Sequence, residues 1–232
     1  MTGLSILPIE GLPEVGPGDE LAALIAERIA LHDGDVVVVT QKVVSKVEGR
    51  LVAVDHNDPA AKAALVEQEA VRIVRRRGDL TITETRHGFV CANAGIDFSN
   101  VPEGTAALLP VDPDRSARRI RDGLRARAGV EVGVIVSDTF GRPWRNGVTD
   151  VAIGCAGVAA LVDLRGTPDG GGRQLQVTEV AMADEIAAAA DLVMGKSWGV
   201  PVAVVRGLDP AWLREGNVRQ ELVRAPAEDL FR

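Results

Sequence analysis

The sequence predicts an α+β fold: mixed sheets with flanking helices in two intimately packed subdomains, forming one domain over residues 1–232. Three observations carry this reading. Val36-Val37-Val38-Val39-Thr40 and Val132-Gly133-Val134-Ile135-Val136 are too short for helices and too uniformly apolar for one-sided strands, so both faces of each are buried. Leu21, Leu24, Ile25 and Ile29 recur at helical spacing, as in an amphipathic helix lying on a sheet. Thr81-Ile82-Thr83 and Phe89-Val90-Cys91 flank Arg86-His87-Gly88 and predict a hairpin, with His87 in its turn.

From the N-terminus, residues 4–9 read as a short strand, and residues 10–19 as a loop whose prolines fix its shape. That loop is first a connector; the alternative is that its exposed backbone packs against a flat ligand such as a nucleobase. Asp19 stands where it caps the first helix. After Asp33-Gly34-Asp35 the central strand begins, and Lys42, Ser45 and Lys46 follow beyond its carboxyl end, where α/β sheets tend to bind ligands. Lys46 there could reach an anion, but two lysines four apart are first read as the solvated face of a helix.

A second helix is expected over residues 59–77, with Ala63, Val66, Ala70 and Ile73 inward and Arg75-Arg76-Arg77 at its C-terminus, where basic residues suit the dipole. A proline-punctuated crossing over residues 108–114 leads to a helix over residues 115–128. Small residues over 150–161 imply tight backbone packing, and the triple glycine in residues 166–173 a surface connection. Leu175-Gln176-Val177-Thr178 alternates as an exposed strand does, a helix over 180–194 buries Ile186, Ala189 and Val193, and residues 201–207 give the last strand.

Charge and composition exclude several classes. Thirty-three acidic residues against 26 basic ones give a net charge of -7, which disfavours a general nucleic-acid binder. Nothing approaches the ~20 apolar residues of a membrane span, and no secretory leader pattern opens the chain, so a cytoplasmic protein is expected. Cys91 and Cys155 lie far apart in apolar runs and read as buried free thiols; His32, His56 and His87 show no ligand spacing. Gly195-Lys196-Ser197 imitates the end of a phosphate loop but lacks its spacing and follows a helix instead of opening one.

The chemistry concentrates in Ser137-Asp138-Thr139-Phe140-Gly141-Arg142-Pro143-Trp144-Arg145-Asn146-Gly147, directly after the second buried strand. Asp138 and Thr139 at that exit offer hard oxygen ligands for Mg²⁺ or Mn²⁺, and Arg142 and Arg145 lie close enough to face an anion. The same side chains could merely cap a turn. A second acidic loop, Asn93-Ala94-Gly95-Ile96-Asp97-Phe98-Ser99-Asn100, also leaves a strand, so Asp97 and Asp138 could converge on a cation.

Gly11-Leu12-Pro13-Glu14, the run from Gly34 to Lys46, the Asp97 loop and the Asp138 loop together resemble, in this order, the coenzyme F420-0:L-glutamate ligase family. The resemblance extends over residues 4–207. It implies an uncommon, ligase-specific fold and an intertwined homodimer that uses GTP to join L-glutamate to coenzyme F420-0, releasing GDP and phosphate. It further implies Asp97, Asp138 and Thr139 as ligands of Mg²⁺ or Mn²⁺, two ions per site, with K⁺ as a further cofactor. Leu12, Pro13, Glu14, Val15, Gln41, Lys46, Asn100, Met194, Gly195, Lys196 and Ser197 match nucleotide-lining positions, and Lys46, Arg142 and Arg145 would neutralise phosphate or substrate carboxylate. Lys196 departs from the acidic residue that archaeal-type members carry and looks closer to actinobacterial-type ones, whose C-terminal flavin-binding domain is not expected here. Two other functions fit the same residues: a metal-dependent nucleotide phosphohydrolase, and a non-catalytic nucleotide- or coenzyme-binding subunit.

Overall fold

A computed structural model describes residues 3–229. Its strands are β1 (Ser5–Pro8), β2 (Val36–Thr40), β3 (Leu51–Ala53), β4 (Ala70–Arg77), β5 (Leu80–Thr85), β6 (Val90–Ala92), β7 (Thr105–Ala107), β8 (Gly133–Arg142), β9 (Arg145–Ala156), β10 (Val162–Asp163), β11 (Glu179–Val180) and β12 (Val202–Arg206). The helices are α1 (Leu21–Ala26), α2 (Gln41–Val47), α3 (Pro59–Glu69), α4 (Pro113–Ala128), α5 (Met182–Met194) and α6 (Val218–Glu221). The architecture is α+β with mixed pairing, as predicted.

The main sheet runs in the order β1-β12-β2-β8-β9. Only β2 and β8 pair in parallel; every other neighbour is antiparallel. Val36 through Val39 and Val134 through Val136 are completely buried, because these two strands occupy the middle of the sheet and are covered on both faces. Helix α5 packs against β9, β12 and β1, while α4 packs against β9, β8 and α1.

One close approach fixes α4 on the sheet. A Cβ on Gly154 of β9 would lie 2.6 Å from the amide nitrogen of Asp114, so only glycine admits the helix start there. The buried Asp114 carboxylate then accepts amide hydrogen bonds from Cys155 and Val218 at 2.9 Å each and from Arg219 at 3.3 Å, joining α4, β9 and α6.

A second, smaller core of Val66, Ala94, Ile96, Ala106 and Leu108 lies among α3, β3, β7 and the loop after β6. The three-stranded sheet β4-β5-β6 adjoins it. Here the expected helix over 59–77 is corrected. Asp58 caps α3, but Ala70 is already extended and the chain continues as β4. Val71, Ile73 and Val74 are β-branched, and Gly78 takes a left-handed φ of 57° that turns β4 back into β5. The basic run is therefore on an exposed strand.

Other boundaries shift as well. Helix α1 is only six residues long, and Asp19 accepts the Gly16 amide of the preceding turn instead of capping the helix. Residues 175–178 form no strand; the strand is the adjacent β11. Helix α5 starts at Met182 and buries Ile186, Ala187, Ala190 and Met194, not Ala189 or Val193. His87 is the predicted turn residue but also buried, stacked on Phe89 with its Nε2 at 2.9 Å from the Pro110 carbonyl. Both cysteines are buried and free. Among the described residues no helix is long and apolar enough to cross a membrane.

Candidate active site

The Asp138 segment is not a loop. β8 and β9 continue through it as a long hairpin, Arg142 pairing with Arg145 across the two-residue connection Pro143-Trp144. What makes Asp138 accessible is that β2 ends at Thr40, opposite Ser137, where the chain turns into α2. Beyond Ser137 the strand has β9 on one side and a cleft on the other. A register shift in the β8–β9 ladder falls between Val136 and Ser137, immediately before Asp138 and Thr139, where such irregularities commonly re-aim side chains.

The second carboxylate arrives on a rigid loop. Asn93, Ala94 and Gly95 take left-handed φ values of 49°, 56° and 68°, and the Thr83 hydroxyl accepts the Ala94 amide at 2.9 Å. Asp97 then exchanges both backbone hydrogen bonds with Ala107 of β7, each 2.9 Å. These ties direct its carboxylate into the cleft that Asp138 also lines, a cavity of about 830 Å³.

Asp97 and Asp138 are close enough to repel. Burial, then the charge of Asp97, and to a smaller extent that of Asp150, push the Asp138 carboxyl up to about 8, against the pull of the Thr139 amide that donates to it at 2.8 Å. Asp97 is likewise raised by burial, opposed by Lys42, whose Nζ lies 3.4 Å from Asp97 Oδ2. Cys91 is a buried neighbour whose thiol burial pushes up to about 12, so it supplies no thiolate at neutral pH.

Two residues that the sequence did not single out complete the acidic wall. Asp150 is 4 % exposed and faces Thr139 directly across the hairpin, accepting from its hydroxyl at 2.7 Å and from the Ser137 hydroxyl at 3.2 Å. Asp191 comes from the last turn of α5. Reading residues 137–150 as a hairpin is the signal that would have paired Asp150 with Thr139. Lys196 reaches over this wall and donates to Thr139 Oγ1 at 2.7 Å, to Asp191 at 2.8 Å and to Asp150. Burial works against its charge, but hydrogen bonds to Asp150 and Asp191 outweigh it and its pKa is raised.

Most of the other predicted residues share the cleft. Leu12, Pro13, Glu14 and Val15 line one side; Asn100, Met194, Gly195 and Ser197 line it elsewhere. Lys46 does not point to solvent: only 7 % exposed, it faces the cleft and pairs with the exposed Glu14. Three residues are elsewhere. Gln41, the first residue of α2, is fully buried, its amide donating to Ser45 Oγ at 2.6 Å and the Leu108 carbonyl at 3.0 Å. Arg142 and Arg145 are exposed at the hairpin end, outside the cleft, with Arg142 donating to the Asn146 carbonyl at 2.6 Å. Beside the cleft, and sharing Gly199 and Val200 with it, lies a groove of about 580 Å³ bordered by Gly11 and by Trp198, which is 64 % exposed.

Among the described residues no three His, Cys, Asp or Glu side chains form a metal-ligand cluster. The donor set is two carboxylates and a hydroxyl. This suits a hard ion that takes its remaining ligands from water or substrate phosphates, as Mg²⁺ does.

The sequence profile of the family described as F420-0:Gamma-glutamyl ligase matches residues 11–207. Proteins named coenzyme F420:L-glutamate ligase are similar over their whole length. Those of Methanopyrus kandleri, Methanothermobacter thermautotrophicus and Archaeoglobus fulgidus are 46%, 43% and 42% identical. The alignments cover 100%, 99% and 99% of this chain and 100%, 99% and 96% of theirs.

Proposed function

The chain belongs to the F420-0:gamma-glutamyl ligase family, and from that premise we propose that it joins L-glutamate to coenzyme F420-0 in the biosynthesis of coenzyme F420, cleaving GTP to GDP and phosphate. One observation carries the nucleotide part: two carboxylates from separate segments, Asp97 and Asp138, meet in a single cleft that also holds Lys42, Lys46 and Lys196. Each carboxyl is held above its ordinary range by burial, and Asp138 also by its neighbour's charge. A divalent cation between them relieves that condition, so these residues fit Mg²⁺ or Mn²⁺. When bound, it would supply positive charge to offset what develops as the terminal phosphoryl group moves.

Making an amide from a free carboxylate is uphill in water, so the carboxylate must first be activated. A carboxylate oxygen of F420-0 attacks the γ-phosphorus of GTP; the bond to the bridging oxygen breaks, and GDP leaves with the electron pair. The neutral amine of glutamate then attacks the acyl carbon of the acyl phosphate; the carbon–oxygen bond breaks, phosphate departs and the nitrogen loses a proton. No protein nucleophile is needed. Asp97, Asp138 and the free lone pair of Thr139 would hold the cation, and Lys46 and Lys42 would face the triphosphate as fixed positive charges. The groove beside Trp198 suits the flat base. The hairpin end, where Arg142 and Arg145 flank the exposed Trp144, is the surface we assign to the second copy of a homodimer.

The test is phosphate release in the presence of GTP and Mn²⁺ while F420-0 and glutamate are omitted in turn. Release that requires both supports the ligase, and Asp138→Asn abolishes it. Full-rate release from GTP alone would instead make the protein a phosphohydrolase.

A further inference from the structure

We propose that Lys196 is a built-in cation of the active site, occupying the oxygen cage that a second divalent ion would need, so that the cleft takes up one divalent ion per chain. This rests on the ligase reading above, in which Asp97 and Asp138 hold that one ion.

The cage is formed by three oxygens from three places in the sequence. Thr139 stands on β8, Asp150 faces it on β9, and Asp191 comes from α5. All three are hydrogen-bonded to the Lys196 ammonium, Thr139 at 2.7 Å and Asp191 at 2.8 Å. Hard oxygens, two of them carboxylate and one hydroxyl, converging from separate elements would ordinarily suit a metal. Here a side chain fills their centre. Asp150 is oriented independently of the lysine, by the hydroxyls of Ser137 and Thr139, so the cage is built into the hairpin.

The delivery of Lys196 is also built. Gly195, directly after α5, has φ 58° and ψ 159°, a conformation essentially confined to glycine, and a Cβ there would collide with the Trp198 ring. The chain is thereby bent so that the next residue lies over Thr139.

Ion pairing leads to the same count. Asp150 and Asp191 share Lys196, and Asp97 has Lys42 at 3.4 Å. Among the described residues no salt bridge reaches Asp138, so the pair of Asp97 and Asp138 keeps one carboxylate without a fixed cation and is the place left for a diffusible ion. A second divalent ion would have to displace a hydrogen-bonded ammonium from its ligands.

Bound Mn²⁺ can be counted from the loss of the free-ion electron paramagnetic resonance signal, using the full chain with a non-hydrolysable GTP analogue. One ion per chain is expected in the wild type and in Lys196→Arg, and two in Lys196→Ala. Two ions in the wild type, or one in Lys196→Ala, would overturn the proposal. A wild type that binds none would refute the metal site at Asp97 and Asp138, a failure distinguishable from that of Lys196.

Discussion

Replacing Asp138 by asparagine should stabilise the cation-free protein at alkaline pH while destroying its ability to bind a divalent ion. The Asp138 carboxyl is pushed up to about 8 in the folded chain against an ordinary 3.8, because it is desolvated in the wall of the cleft and faces Asp97. An acid whose pKa is raised on folding keeps its proton in the native state after the unfolded chain has lost its own. Stability therefore falls as pH rises from about 4 to about 8 and levels off above. The slope is at most about 1.4 kcal/mol per pH unit. Over the window this sets a ceiling on the order of 6 kcal/mol, which water entering an open cleft reduces to roughly 2 kcal/mol. Asparagine has the same shape and no charge to strand. At pH 8.5 in chelator, differential scanning fluorimetry should place the variant about 4–8 °C above the wild type, and the gap should narrow toward pH 4. Added Mn²⁺ and nucleotide should raise the wild-type midpoint and leave the variant's nearly unmoved. A variant less stable than the wild type at pH 8.5, or a gap independent of pH, would refute the claim that Asp138 is a strained carboxylate awaiting a cation.

Other substitutions test the frame and the cleft separately. Gly154→Ala forces a Cβ into the Pro113–Asp114 backbone and should cost about 1–3 kcal/mol in urea unfolding, with overpacking as the cause. Asp114→Ala leaves the amides of Cys155, Val218 and Arg219 without their acceptor and should cost about 2–4 kcal/mol by the same measurement. Lys46→Ala removes a buried charge from the cleft wall and should weaken GDP binding by roughly 10–100-fold in calorimetry, the scale of one charge-assisted hydrogen bond.

The buried centre was legible because Val36 to Val39 and Val134 to Val136 leave no polar face, and only a strand covered on both sides tolerates that. The direction of Asp138 was legible for a related reason: it follows such a strand, where the chain emerges from the core, whereas Asp97 follows β6 of the separate three-stranded sheet. That they share a cleft was not, since it depends on β7 capturing Asp97 through Ala107, a long-range pairing with no local signature. Residues 70–77 satisfied a helical spacing at Ala70 and Ile73, yet tertiary pairing with β5 prevailed, helped by Val71 and Val74. Asp150 and Asp191 were missed because their roles come from cross-strand register and helix packing. Arg142 and Arg145 looked near Asp138 along the chain, but an extended hairpin carries residues about 3.3 Å further per position, away from the cleft.

The central claim is that this cleft transfers a phosphoryl group from GTP to a carboxylate before the amide forms. It is tested most directly by turning over F420-0 labelled with ¹⁸O in its carboxylate and analysing the released phosphate by mass spectrometry. Transfer through an acyl phosphate predicts one ¹⁸O in the phosphate, formed only when glutamate is present. Unlabelled phosphate would mean that water, not the carboxylate, had attacked, and would contradict the account.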